Sequence, residues 1–331
     1  MDETAAVLLG TAALLMIIVL ALEVYRTSCL KREAAAYSGF KSNVCESKHC
    51  VRCSKDKDIL SDALTRLSFH ASQIFGLSDN DVPISAKENA VEIVCADIRT
   101  SLKKLKGQGD KASSGEFDAK GSNSEVSNPL VFKYSGIREQ KIWHLDDFPG
   151  INLLEQNFTQ IYLEFVHFYK SPLSETTQLW KRNHTSKGSW EIALLVDQGR
   201  RTKVSELCPL TMALIDQIPY FMRGNVFGNA SFSVLHPDTE IAAHYGSTNC
   251  RIRCHLGLKV PSNAKSCTLW VEGQPQHWEK GKSLFFSDAF LHSVSHKGPP
   301  DSGYRVVLML DLWHPDIAES QRKVLDYAFS S

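Results

Sequence analysis

The C-terminal half of this chain predicts a mainly β protein, a double-sheet jelly roll with flanking helices, on three observations. Between residues 250 and 260, Ile252, Cys254, Leu256, Leu258 and Val260 alternate with Arg251, Arg253, His255, Gly257 and Lys259, the period-two pattern of a strand. Further β-branched or aromatic runs at 231–236, 267–271, 283–286 and 304–313 recur at roughly 8–12-residue spacing. Turn residues cut them apart at 261–263, 272–275, 280–281 and 298–300. No 3.6-residue period competes, and a double-sheet jelly roll is the natural closed form for many short strands.

The rest of the chain is delivery and support. A length of 331 residues allows one or two domains, and 43% apolar with 22% charged residues is ordinary for a folded chain. A formal net charge of zero argues against a nucleic-acid partner, which requires a basic excess. After a short tail at 1–4, residues 5–25 are almost wholly apolar, close to the roughly 20 residues a helix needs to cross a bilayer. Asp2 and Glu3 precede this stretch where a cleaved signal would carry basic residues, so 5–25 reads as a transmembrane signal-anchor.

Residues 26–106 read as a Cys-containing juxtamembrane and helical region. Cys45, Cys50 and Cys53, with His49, have the spacing of half a zinc site; local disulfides and plain thiols are the alternatives. Leu60, Leu64, Leu67, Ala71 and Ile74 form one helical face, and Val91, Val94, Cys95, Ile98, Leu102 and Leu105 another. Both helices are expected to form a stalk or to pack against the domain. The stretch 107–128 is Gly/Ser-rich and charged with one aromatic, the composition of a flexible linker, which sets a domain boundary before 129–331. In that last part 153–169 and 210–218 read as helices and 190–196 as a strand. Arg200, Arg201 and Lys203 are a solvated basic face or a hold for an acidic substrate side chain.

The chemistry concentrates on histidines. His244 and His292 are candidates to share a metal, and two imidazoles with open positions suit non-haem iron, normally completed by one carboxylate. A carboxylate co-substrate filling open positions needs a fixed cation for its far end. Arg305, on the strand after His292, offers a bidentate fork. A rival set exists: His236 and Asp238 form a literal HxD around Pro237, with His292 as the distal ligand.

The run HYGSTNCRIRCHLGL at 244–258, WEKG at 278–281, FFSD at 285–288, FLH at 290–292 and DLWHP at 311–315 resemble the aspartyl/asparaginyl β-hydroxylase family. The resemblance covers roughly the last 180–200 residues. It implies a cupin-like double-stranded β-helix and an iron(II)- and 2-oxoglutarate-dependent dioxygenase acting on Asp or Asn of protein substrates, EGF-like domains among them. Carried over by position, it implies His244 and His292 as Fe(2+) ligands and Ser233, Arg253, His255 and Arg305 as 2-oxoglutarate contacts. Gly246 falls where most such oxygenases place the ligand carboxylate, which this family also lacks. Leu235 replaces a co-substrate-contacting Met, a swap that conserves volume. A catalytically silent membrane-anchored binding module of the same fold is the alternative.

Orientation in the membrane is contested by the residues themselves. Arg26, Lys31 and Arg32 follow the apolar span, which puts the C-terminal side in the cytosol by the positive-inside rule. Three glycosylation sequons, at Asn157, Asn183 and Asn229, point to the lumen. The resemblance implies a single-pass type II protein of the endoplasmic reticulum with its catalytic domain luminal, and that is the reading adopted.

Overall fold

The alternating runs build two facing sheets in the computed structural model, which describes residues 59–70, 84–108, 124–172, 179–183, 185 and 187–331. The expected anchor at 5–25 and the group Cys45, Cys50 and Cys53 lie outside these residues. Among the described residues no helix is long and apolar enough to cross a membrane. Helices α1 (Ile59–His70) and α2 (Ile84–Gln108) come first, followed by β1 (Ile142–Trp143), α3 (Asn152–Gln156) and α4 (Phe158–Tyr169). Strands β2 (Lys181–Asn183), β3 (Trp190–Asp197) and β4 (Arg200–Arg201) lead to α5 (Lys203–Leu207) and α6 (Pro209–Ile215). The core strands are β5 (Ala230–Leu235), β6 (Thr239–His244), β7 (Arg251–Lys259), β8 (Cys267–Val271), β9 (Gln274–Gln276), β10 (Ser283–Phe286), β11 (His292–His296) and β12 (Arg305–Trp313). Helix α7 (Glu319–Ala328) closes the chain.

The large sheet runs β1-β10-β7-β12-β5-β3-β2 with β4 on β3, and the small sheet runs β6-β11-β8-β9. From β5 to β12 the chain passes back and forth between the two, the winding of a jelly roll. The alternation in β7 now has a direction. Ile252, Cys254, Leu256 and Leu258 face outward into a core built with Phe165, Phe232, Ile215 and Leu308, under the helices. The polar partners Arg251, Arg253 and His255, themselves largely buried, face the small sheet. A half-polar strand normally turns its polar side to water; here it turns that side into the space between the sheets.

Helices α1 and α2 belong to the folded unit, so the boundary expected near residue 128 is corrected. Leu60, Leu64, Leu67, Val94 and Ile98 share one buried cluster with Phe132, Trp313, Leu325 and Phe329. Arg66 donates to the carbonyls of Ala328 (3.2 Å) and Ser330 (2.7 Å), capping the carbonyl end of α7. The expected linker is also shorter than its composition suggests. Helix α2 continues to Gln108, and Asn128 already hydrogen-bonds to Ala289 O at 2.9 Å.

One buried acid in this assembly titrates upward. Burial pushes the Asp326 carboxyl up to about 6, against the lowering effects of Asn225 and Arg322. Asn225 Nδ2 donates to it at 3.1 Å. A raised acid contributes stability that is complete below its unfolded pKa and is lost as pH rises through the folded value. Asp326→Asn keeps the acceptor and removes the charge. It is therefore expected to raise stability at pH 8 by about 1–2 kcal/mol and to change little at pH 4, as thermal melts at the two pH values would show.

Candidate active site

His244 ends β6 and His292 begins β11, and the two are direct cross-strand partners. Their ring centroids lie 4.1 Å apart with the planes at 57°. Each Nδ1 lies against the carbonyl two residues back, His244 on Ala242 O at 2.7 Å and His292 on Phe290 O at 2.9 Å. A carbonyl only accepts, so both Nδ1 atoms carry the proton and both lone pairs sit on Nε2. That is the arrangement in which a backbone acceptor orients an imidazole toward a metal.

The rival set is not assembled. Asp238 is exposed at the β5–β6 turn and pairs with Lys187 at 2.6 Å. His236 lies 3.6 Å from Glu191 and against the Tyr304 ring. The length of β6 separates that turn from His292's partner His244, roughly 15–20 Å at strand rise.

An inner cavity of about 30 Å³ lies between the sheets, lined among others by Ser233, His244, His255, His292 and Arg305. Arg305 is only 2% exposed. Its guanidinium lies 4.7 Å over the Trp278 ring and donates through Nη2 to Ser233 Oγ at 3.0 Å. Trp190 Nε1 donates to the same oxygen, also at 3.0 Å. Arg305 Nε has no hydrogen-bond partner, and no carboxylate pairs with this guanidinium among the described residues. Burial lowers its pKa to about 10, so it stays charged at neutral pH. His255 Nδ1 accepts from Trp278 Nε1 at 3.2 Å. Burial, then Arg305 and Arg253, drive the His255 pKa well down, which leaves a neutral ring with its proton on Nε2. That Nε2 is buried without a partner. The Nε–H of a charged fork and a neutral Nε2–H donor, both without a partner among the described residues, thus line one small cavity.

Arg253 sits at the junction of this cavity with an outer one of about 130 Å³. It is tied to Asp311 through Nε (3.0 Å) and Nη2 (2.9 Å), with Asp288 at 3.4 Å. Arg251 completes the lattice, reaching Asp288 Oδ2 at 2.7 Å and Phe227 O at 2.8 Å. Burial alone would raise the Asp288 carboxyl, but Arg251 and Arg253 hold it well below the ordinary range. Gly246 owes its identity to this carboxylate. A Cβ there would lie 2.4 Å from Asp288 Cγ, so the room that a third ligand side chain would need is filled.

The remaining sequence candidates fall elsewhere. Arg201 pairs with Asp216 and Lys203 with Glu206, and neither lines the cavities. The three sequon amides are engaged or enclosed. Asn157 Nδ2 donates to Leu153 O at 2.8 Å, Asn183 Nδ2 is buried without a partner, and Asn229 Nδ2 donates to Asp311 at 3.0 Å. A glycan on Asn229 would displace a bond of the ion-pair lattice, so this sequon is a poor acceptor in the folded domain. Sequence reasoning gave no role to Trp190, Arg251 or Asp288. Arg251 was findable, since period two puts it on the face that carries Arg253 and His255.

The family model for aspartyl/asparaginyl beta-hydroxylase matches residues 155–315. The rat protein called aspartate beta-hydroxylase domain-containing protein 2 is 36% identical over 292 residues, 87% of this chain and 76% of the relative. Its Xenopus tropicalis counterpart is 42% identical over 208 residues, 59% of this chain and 55% of that protein. Human aspartyl/asparaginyl beta-hydroxylase is 35% identical over 144 residues, 43% of this chain and 18% of the relative. The match to the Xenopus, human and mouse forms of domain-containing protein 2 spans between 55% and 60% of their own length.

Proposed function

Because the chain belongs to the aspartyl/asparaginyl β-hydroxylase family, we propose that it is an iron(II)- and 2-oxoglutarate-dependent dioxygenase hydroxylating Asp or Asn side chains of protein substrates. The observation that carries the reading is Arg305, a buried cation with no carboxylate partner among the described residues, in the cavity that His244 and His292 also line. A buried unpaired charge is costly unless an anion completes it.

The residues present fit the group. His244 and His292 would hold the metal through Nε2. No cluster of three or more His, Cys, Asp or Glu suited to a metal occurs among the described residues, so the protein supplies two ligands and leaves positions for co-substrate and water. When bound, iron(II) with 2-oxoglutarate and dioxygen would supply the oxidising chemistry: the keto acid would lose carbon dioxide and take up one atom of the dioxygen to become succinate, and the other atom would enter a substrate C–H bond. Arg305 grips the distal carboxylate of 2-oxoglutarate as a fork. Ser233 and Trp190 keep that fork from rotating. His255 donates its Nε2–H to the same anion, with its tautomer fixed by Trp278. The lattice of Arg251, Arg253, Asp288 and Asp311 stiffens the wall where the target side chain enters beside His244.

The proposal extends to a membrane anchor at 5–25 and to secreted substrates, EGF-like domains among them. Its support is the family and the apolar span.

Purified full-length protein supplied with iron(II), 2-oxoglutarate and oxygen is expected to form succinate. His244→Ala and His292→Ala should lose the bound metal, measured by elemental analysis, while His236→Ala keeps it. Metal retained in His244→Ala and lost in His236→Ala would overturn the assignment. Metal bound without any succinate, even with Asp- and Asn-containing peptides, would favour the silent binding module.

A further inference from the structure

We propose that residues 124–132 form a strap, anchored by Glu272, that fixes the spacing of the two histidine-bearing strand ends, which makes Glu272 a positioning residue for the metal pair. The proposal rests on the reading that His244 and His292 hold a metal.

The strap crosses both loops that carry the histidines. On one side Leu130 N donates to Gly246 O at 2.9 Å, and Val131 N and Phe132 N donate to Ser247 O at 2.9 and 3.0 Å. Those acceptors lie two and three residues beyond His244. On the other side Asn128 N donates to Ala289 O at 2.9 Å, three residues before His292. One short segment therefore staples both ligand loops, which also touch directly through Gly246 N and Asp288 O at 2.5 Å. Helix α2 backs the strap. Ser101 Oγ accepts from Lys133 N at 3.2 Å, and Lys104 Nζ donates to Asn128 Oδ1 and to Pro129 O.

Glu272 joins strap and strand at one point. Its carboxylate accepts from Leu291 N through Oε1 and from Ser124 N through Oε2, both at 3.1 Å. Its own N–H donates to Leu291 O at 2.9 Å, so the residue preceding His292 is held from two directions. Glu272 is 2% exposed. It also occupies a costly backbone position. Glu272 and Gly273 have φ of +44° and +76° and form the two-residue turn between β8 and β9. Such a turn selects Asn, Asp or Gly. A glutamate at the first position is not explained by the turn; its extra methylene lets one carboxylate reach two backbone N–H groups. A strained, buried residue held by the structure around it is the pattern of a functional constraint.

The test is manganese(II) affinity, titrated on the full chain well below its melting temperature. Manganese(II) stands in for iron(II) without oxidising. Wild type should bind it and His244→Ala should not. Glu272→Gly removes the positive-φ cost of the turn yet is expected to weaken manganese binding about tenfold or more, the usual scale for a residue that orients a ligand. Glu272→Gln keeps one acceptor oxygen and should recover part of the loss. Ser124→Pro removes one anchoring N–H at an exposed position and should weaken binding about threefold, below the roughly tenfold at which that scale begins, because the Glu272 bond to Leu291 N remains; it carries the test if Glu272→Gly does not fold. Wild-type affinity in folded Glu272→Gly, or in Ser124→Pro should the glycine variant not fold, would overturn the positioning role while leaving the metal assignment intact. A wild-type protein that binds no manganese would overturn the metal reading and this inference with it.

Discussion

Replacing Arg305 with methionine will weaken 2-oxoglutarate binding by about a hundredfold or more and will raise the melting temperature of the ligand-free protein. Both effects have one cause. The guanidinium is buried and burial pulls its pKa down to about 10, a sign that the protein pays for keeping it charged. Its hydrogen bond to Ser233 and the stack on Trp278 offset part of that cost, but no carboxylate among the described residues does. Removing one partner of a buried charge-assisted pair costs roughly 2–5 kcal/mol of binding. Methionine of similar length removes the desolvation burden from the free protein, as when buried ionic groups are replaced by packed apolar ones. Arg305→Lys should restore little, because an ammonium lacks the planar fork. Calorimetric titration of 2-oxoglutarate in the presence of manganese(II), with thermal melts of the ligand-free variants, measures both. Unchanged co-substrate affinity in Arg305→Met would remove Arg305 from the binding role.

Gly246→Asp will not complete a three-ligand metal site; it will cost the fold about 3 kcal/mol or more. A designer who placed the missing carboxylate of a two-histidine, one-carboxylate site at this position would be misled by spacing alone. The Cβ of any side chain there falls 2.4 Å from Asp288 Cγ and 2.5 Å from Asp288 Oδ2. Overpacking of that kind costs typically 1–3 kcal/mol. Aspartate adds a second carboxylate against one that Arg251 and Arg253 already neutralise. Moving Asp288 aside would take from the buried Arg251 cation its 2.7 Å carboxylate partner and leave it the longer 3.4 Å contact to the Asp311 carboxylate. Gly246→Ala isolates the steric part and should be destabilising on its own. Thermal melts and metal content of both variants decide the matter, and a Gly246→Ala protein that melts like wild type would remove the crowding argument.

The sheets were legible to unequal degrees. Strand β7 could be read because its apolar residues meet the helix-covered core, and period two records that burial directly. Strands β6 and β11, which carry the two histidines, were not expected as strands. Their sequences, TEIAAH and HSVSH, contain few large apolar residues, because they form half of a small sheet whose inner face lines a cavity. The helix expected over 153–169 is real but breaks at Asn157 into α3 and α4. Helices α1 and α2 were legible as amphipathic, but a helix's apolar stripe does not say what covers it. Their partner turned out to be α7, more than 200 residues away in the chain. In the sequence the start of the strap reads as the end of a linker, since its value lies in backbone N–H groups that every sequence of that length possesses.

The chain by itself determined that its C-terminal half is β and which family it resembles, and it singled out two histidines and an arginine that come to line one cavity. Those facts are local or are carried by motif, and residue type records them. Tertiary structure decided that the polar face of β7 turns inward, that Asp288 takes the space above Gly246, and that Glu272 ties the strap to the strand of His292. Each of these is a contact between residues far apart in sequence, fixed by packing and hydrogen-bond satisfaction once the two sheets close on each other.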